Sequence, residues 1–451
     1  MFIRCAMKTL GAAAVLSLAA LAEAHVDQDA ARRHEALAAR QNVPDAEESF
    51  SFSLRATNPT AVPLTGIQVT VVSRATQPLP STAVPGSTPT VVSGAPKLPD
   101  ISKWDISNYP PENAIPPVDS PEVKQWIEEV KNSGIAIPSL ERTNPGGCEA
   151  VANAAFKADA ANRCWWTCGG CTGPDDITDC VDKDHWGLTF DDGPGHHTAE
   201  LLQYLDEQKL KATFFVVGSR VLYTPDILQA QYDGGHQIAI HGWSHKEMTT
   251  LSDEEIIAEL GWSKKIIRDA IGVTPNMWRP PYGDIDDRVR ALSLAMGLVP
   301  VMWTRTADSV VFNTEGLNHD LHPTADFNIN SGTSVQKVLH NWQTILQTES
   351  SLNHGFIVLQ HDLWQQGVDV ATGYILPDGL AHQPKLTIEP VVTCLNMPNA
   401  NAYIETNDNK TNAPKAKLPS GAAGKLNGLG MVGGAVGVVL GAVGLAAGLI
   451  L

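Results

Sequence analysis

The residues best suited to chemistry fall in four short segments. Asp191 and Asp192 stand side by side in Thr189-Phe190-Asp191-Asp192-Gly193-Pro194, just past an apolar run. Two adjacent carboxylates repel each other, and a cation relieves that repulsion. His241 and His245 follow in His241-Gly242-Trp243-Ser244-His245. Imidazoles at i and i+4 share one face of a helical turn and can grip one divalent ion. Arg279 opens Arg279-Pro280-Pro281-Tyr282-Gly283, where two prolines stiffen the loop. Its guanidinium can hold a carboxylate bidentately, and loop N–H groups can face a developing oxyanion. His361 ends Ile357-Val358-Leu359-Gln360-His361-Asp362, and a histidine at the end of a buried strand is poised to donate a proton. Taken singly, each segment also reads as plain structure: an Asx-type turn, a rim histidine, a rigid turn with a surface ion pair. Taken together, they describe a metal held by one carboxylate and two imidazoles. A second carboxylate is steadied by an arginine, and a histidine faces it. That set suits metal-assisted hydrolysis of an acyl group.

The elements that must position these residues alternate in type. Gly187–Phe190, Ala212–Val217, Gln237–Ile240, Val299–Trp303 and Phe356–Gln360 read as strands. Helices are expected around Ala199–Lys209, after the capping box Ser252-Asp253-Glu254-Glu255, and near Ser334–Gln347. Pro121–Asn132 also has helical spacing. Strands alternating with helices predict an α/β fold with a parallel sheet, here a distorted (β/α) barrel. In such folds chemistry collects at the carboxyl ends of the strands, where all four segments lie.

Composition sets the surroundings. Charged residues are only 18% of the chain, and the net charge is -17. The acidic balance argues against a nucleic-acid partner. Residues 1–24 read as a signal peptide, with Arg4 and Lys8 before an apolar run and Ala22-Glu23-Ala24 as the cleavage site. Residues 25–147 form a Pro/Ser/Thr-rich region; its Ala56–Pro99 stretch is expected to be an extended spacer without a packed core. The catalytic domain is expected over 148–395 and a linker over 396–428. The apolar run 429–451 reads as a GPI tail that is removed, with attachment at Ser420 in Ser420-Gly421-Ala422. Both terminal extensions are expected to be disordered. Asn409-Lys410-Thr411 is a glycosylation sequon. Beyond Cys5, six cysteines remain: Cys148, Cys164, Cys168, Cys171, Cys180 and Cys394. In a secreted chain they predict disulfides, with Cys148 and Cys394 paired across the domain and the other four paired locally.

From about Gly187 to Leu395 the sequence resembles the polysaccharide deacetylases with a NodB homology domain (carbohydrate esterase family 4), and within them the fungal chitin deacetylases. TFDDGP, HxxxH, RPPY and LxH stand in the family's order. The resemblance implies that Asp191 is the general base and that Asp192, His241 and His245 hold one divalent cation, zinc or cobalt. Arg279 would orient Asp191, and the Tyr282 backbone N–H would bind the oxyanion. His361 would be the general acid, and Leu359 would line the acetyl pocket. The substrate would be chitin or chitosan, the enzyme a monomer, and its place the cell wall and plasma-membrane surface, tethered by a GPI lipid. Two departures stand out. Gly242 replaces the family's Ser or Thr, so a hydroxyl that braces the loop is missing and weaker metal binding is expected. The Asp-Trp motif is poor, with Asp308 the candidate to orient His361. A glycosidase fits less well, because adjacent carboxylates leave no room between them and the histidines would be idle. A non-catalytic wall mannoprotein would tolerate loss of Asp191.

Overall fold

The structure, a computed structural model, describes residues 50–70, 74–306 and 326–410. The expected signal, GPI tail, Ser420 and Asp308 lie outside them.

Seven short parallel strands build the centre: β1 His185–Asp191, β2 Thr213–Val216, β3 Gln237–Ile240, β4 Met277–Trp278, β5 Val299–Pro300, β6 Phe356–Val358 and β7 Thr387–Glu389. Their order is β5-β4-β3-β2-β1-β6, with β7 also on β1. Strand β1 therefore has three strand neighbours. Its Thr189–Asp191 half pairs β2, and its His185–Gly187 end pairs β7. Trp186–Leu188 pairs β6 on the other side. These strands are rich in β-branched and aromatic residues, and most of them are buried along their length, as strands covered on both faces must be.

The ring closes by single bonds rather than by a ladder. The Met302 N–H donates to Ile177 O at 2.7 Å and the Thr304 N–H to Ile357 O at 3.1 Å. The Ile357 N–H returns to Thr304 Oγ1 at 2.9 Å. This irregular seam between β5 and β6 is the distortion of the barrel.

Among the described residues ten helices surround it: α1 Pro121–Lys131, α2 Ala154–Ala158, α3 Thr198–Glu207, α4 Pro225–Asp233, α5 Asp253–Ile271, α6 Asp287–Ala295, α7 Val335–Glu349, α8 Gln365–Val370, α9 Leu376–Leu380 and α10 Val391–Cys394. The capping box forms as expected. Ser252 accepts from the Glu255 N–H, and Glu255 accepts from the Ser252 N–H. The same helix ends on Gly272 at φ 84, the left-handed stop that glycine adopts at least cost. Among the described residues, no helix is long and apolar enough to cross a membrane.

Two expectations need correction. The stretch after Ala56 is extended but is not a free spacer. Ile67, Val92, Ala95 and Leu98 are buried in the common core. Arg74 joins Glu200 at 2.9 Å, and its Nη1 also reaches Asp369 at 3.2 Å. Its scattered apolar residues cannot pack on one another, so each fills a place on the barrel's outer layer.

The Cys148–Cys394 pairing does not form. The bridges are Cys148–Cys168, Cys164–Cys171 and Cys180–Cys394, with Cα–Cα distances of 5.3, 5.0 and 5.0 Å. The Val181 N–H donates to Cys394 O at 3.0 Å, which brings Cys180 beside the last helix. Cys148 is held elsewhere, because Gly146 two residues before it donates to the Glu247 carboxylate at 3.0 Å.

Candidate metal centre

Strand β1 ends on Asp191, and Asp192 follows at φ 77, a left-handed conformation unusual for a residue other than glycine. The turn is tied down from β6. Asp362 accepts from the Gly193 N–H at 3.1 Å and from Thr198 Oγ1 at 2.6 Å. A Cβ at Gly193 would stand 2.5 Å from Asp362 Oδ2, so only glycine fits there. The Asp191 N–H donates to Gln360 O at 2.8 Å, so Asp191 and His361 end adjacent strands as neighbours.

Residues 241–245 form no helical turn, contrary to the reading of the i, i+4 spacing. They follow β3 as an irregular loop with Gly242 at φ 70 and His245 at φ 54. Those two left-handed residues fold the loop back, and the imidazole centroids come to 5.0 Å. The loop is braced from beneath. Glu259 of α5 accepts the Trp243 N–H at 2.7 Å and the Ser244 N–H at 2.8 Å, and it also accepts from the Ser244 hydroxyl. The brace assigned to position 242 is thus supplied by Ser244 and a buried carboxylate.

Asp192 Oδ1 lies 3.0 Å from His245 Nε2 and 3.4 Å from His241 Nε2. One ligand atom from each of the three residues falls within 4.8 Å of the others. His241 Nδ1 lies 2.8 Å from Arg279 O, and a proton donated there leaves Nε2 as the metal-facing nitrogen. Burial alone would raise the Asp192 carboxyl, but His245, His241 and Arg220 hold it well below the usual range. Burial pushes His245 down to about 4, so its ring is neutral and able to ligate. One carboxylate and two imidazoles fit a divalent transition ion.

The second carboxylate, Asp191, is buried. Arg279 Nη1 donates to Asp191 Oδ1 at 2.7 Å and to Thr189 Oγ1 at 2.9 Å. This is a one-nitrogen grip, not the bidentate one expected. The rest of the guanidinium is fixed to Val301 O at 3.2 Å and Met302 O at 3.0 Å, and it stacks over Phe215. Burial raises the Asp191 carboxyl, while Arg279, His241 and His361 pull against it. Asp191 Oδ2 stands 3.7 Å from His241 Nε2, at the edge of the three-ligand group.

His361 is held by Asp326. Its Nδ1 lies 3.0 Å from Asp326 Oδ1, and its backbone N–H donates to Asp326 Oδ2 at 2.8 Å. Asp326 makes the contacts expected of a residue that orients His361, while Asp308 lies outside the described residues, and Phe327 packs edge-on to His361. A signal for this was available. Asp326-Phe327 is the only Asp-aromatic pair between Trp303 and α7, though it lies beyond the Trp303–Ser309 stretch in which an Asp-Trp pair was sought.

Tyr282 sits at φ 60 and ψ 12, with its ring 4.6 Å from that of His245. Leu359 is buried at the end of β6. Asn409 is exposed, as a glycan acceptor must be.

The Polysaccharide deacetylase family matches residues 178–301. Chitin deacetylase 1 of Cryptococcus neoformans var. grubii is 48% identical over 333 residues, covering 73% of this chain and 67% of that one. Chitin deacetylase of Amylomyces rouxii is 36% identical over 47% of this chain and 52% of its own length. The chain thus spans about half the length of that second relative. The solved chitin deacetylase of Colletotrichum lindemuthianum aligns with 51% of this chain and 96% of that one, at 21% identity and TM-score 0.43.

Proposed function

Because this chain belongs to the chitin deacetylases, among the polysaccharide deacetylases, we propose that it hydrolyses N-acetyl groups of N-acetylglucosamine residues in chitin, giving acetate and chitosan. One observation carries the reading. The Asp192–His241–His245 group, the Arg279-held Asp191 and the Asp326-held His361 meet beyond the carboxyl ends of β1, β3, β4 and β6.

Asp192, His241 and His245 would hold one divalent cation, zinc or cobalt. When bound, the ion supplies Lewis acidity toward the acetyl carbonyl and makes a nearby water a better nucleophile. Asp191 takes the water's proton, and Arg279 keeps that carboxylate aimed. The Tyr282 backbone N–H donates to the oxyanion. His361 delivers a proton to the leaving nitrogen, while Asp326 fixes its ring and stabilises the charged form. Leu359 lines the space for the acetyl methyl.

The setting in this reading is the outside of a fungal cell. Three disulfides support an oxidising compartment. The Ser420-Gly421-Ala422 triplet and the apolar run beyond it support a GPI tether.

The test is to strip the protein with a chelator and assay acetate release from chitin oligomers without metal and with Zn²⁺ or Co²⁺. Release that returns with metal, at unchanged chain length, is expected. No release under any metal would sink the enzymatic reading.

A further inference from the structure

The loop that carries His241 and His245 has its inner side on α5, but its outer side rests on a segment far upstream. This segment, 104–146, lies before the matched family region and within the stretch whose sequence suggested no role. It meets the loop on both flanks of His245.

On one flank the contact is Trp243, fully buried between the two histidines in sequence. Its Nε1–H donates to Pro111 O at 3.1 Å. The Tyr109 ring stacks on it with centroids 6.5 Å apart and planes 22° apart. Tyr109 is itself pinned. Its hydroxyl donates to Asp269 of α5 at 2.9 Å, and Trp104 also stacks with it, centroids 5.3 Å apart. On the other flank, the Thr143 N–H donates to Thr249 O at 3.1 Å, and Gly146 donates to the Glu247 carboxylate at 3.0 Å.

This arrangement has a physical consequence. Gly242 and His245 are both left-handed, so the loop has no repeating backbone bonds of its own to set the spacing of its imidazoles. An irregular loop keeps one geometry only where its surroundings over-determine it. Glu259 supplies the inner hold, and the upstream arm supplies the outer one.

We propose that the arm is part of the metal-binding device, with Tyr109 as a positioning residue that sets the His241–His245 spacing through Trp243. This rests on the metal reading of Asp192, His241 and His245. Outer-shell partners of metal ligands commonly change affinity by about tenfold or more when removed.

The experiment uses the full chain. Zn²⁺ affinity is measured by competition with a chromophoric chelator, and the visible absorption of the Co²⁺ form is recorded. Tyr109→Ala, which removes the stack, is expected to weaken Zn²⁺ binding about tenfold and to change the Co²⁺ spectrum. Tyr109→Phe keeps the ring and is expected to stay within about twofold of the wild type with the same spectrum. Tyr109→Leu keeps bulk without a stacking face and decides the matter by the same criteria if the alanine variant does not fold. Wild-type affinity and an unchanged spectrum in a folded variant lacking the ring would overturn the proposal, even with a lowered melting temperature. Absence of Zn²⁺ binding by the wild type would instead overturn the metal reading beneath it.

Discussion

One carboxylate, Asp326, holds His361 at two points, with Oδ1 3.0 Å from ring Nδ1 and Oδ2 accepting the backbone N–H at 2.8 Å. Both residues are buried. The two contacts fix the ring's rotation and favour the tautomer with the proton on Nδ1, leaving Nε2 to exchange protons. Asp326→Asn is therefore expected to lower kcat by at least about 100-fold, with KM and metal content little changed. Asp308→Ala is expected to stay within about twofold of the wild type. Steady-state kinetics on acetylated oligomers check both. The assignment fails if Asp308→Ala carries the loss and Asp326→Asn does not.

That pair shows where sequence reading stops. The four motifs were legible because each is a short local pattern at the end of a strand, and β3 has the bounds expected for it, Gln237–Ile240. Asp326 was harder to find because its partner is 35 residues away, and the one local mark, the aromatic Phe327 beside it, lies outside the stretch searched. The histidine spacing misled for a related reason. An i, i+4 pair meets on a helix, but here Gly242 and His245 bring the rings together by reversing the backbone. The strands β4 and β7 have two and three residues, too short for any periodicity to show. The burial of residues after Ala56 depends on a surface supplied by the rest of the chain, which composition does not reveal.

The disulfide pattern makes a graded prediction. Cys180–Cys394 spans 214 residues and Cys164–Cys171 spans 7. The loop-entropy estimate gives about 5 kcal/mol for the longer bridge and about 2 kcal/mol for the shorter. The Cys180→Ala/Cys394→Ala variant is thus expected to lose more stability in urea than Cys164→Ala/Cys171→Ala. Peptide mapping of Cys148→Ala should find Cys168 as the free thiol. A free Cys394 would restore the pairing rejected above.

Acid stability should depend on His236. The ring is buried, its Nδ1 accepts the Ala212 N–H at 3.2 Å, and it meets Phe214 edge-on. Burial, helped by the Lys211 charge, pushes it down to about 3. Between an unfolded value of about 6.5 and that folded value, the unfolded chain binds a proton that the folded one refuses. Stability from this group is complete above about pH 6.5 and falls as the pH drops, by about 2 kcal/mol at pH 5. His236→Asn keeps an acceptor for Ala212 but does not titrate. Urea midpoints from pH 7 to pH 4.5 should fall less steeply for the variant; parallel curves would show that His236 is not the source.

Position 242 allows a test in which two readings predict opposite signs. If the loop lacks a hydroxyl, Gly242→Ser should tighten metal binding. The structure argues the reverse. Gly242 is at φ 70, where an L side chain costs about 1–2 kcal/mol. A Cβ there would lie 3.2 Å from Met248 Cε, 3.3 Å from Glu259 Oε2 and 3.4 Å from Pro281 Cγ. Glu259 is the group that braces the loop, so the new side chain would push against its own support. Gly242→Ser is expected to lower both the urea midpoint and Zn²⁺ affinity, the latter several-fold. Glu259→Ala should lower affinity further, because the Trp243 and Ser244 N–H groups lose their buried acceptor at about 1–3 kcal/mol each. Chelator competition on both variants decides. Tighter binding by Gly242→Ser would mean that the Ser244–Glu259 contact does not replace the missing hydroxyl.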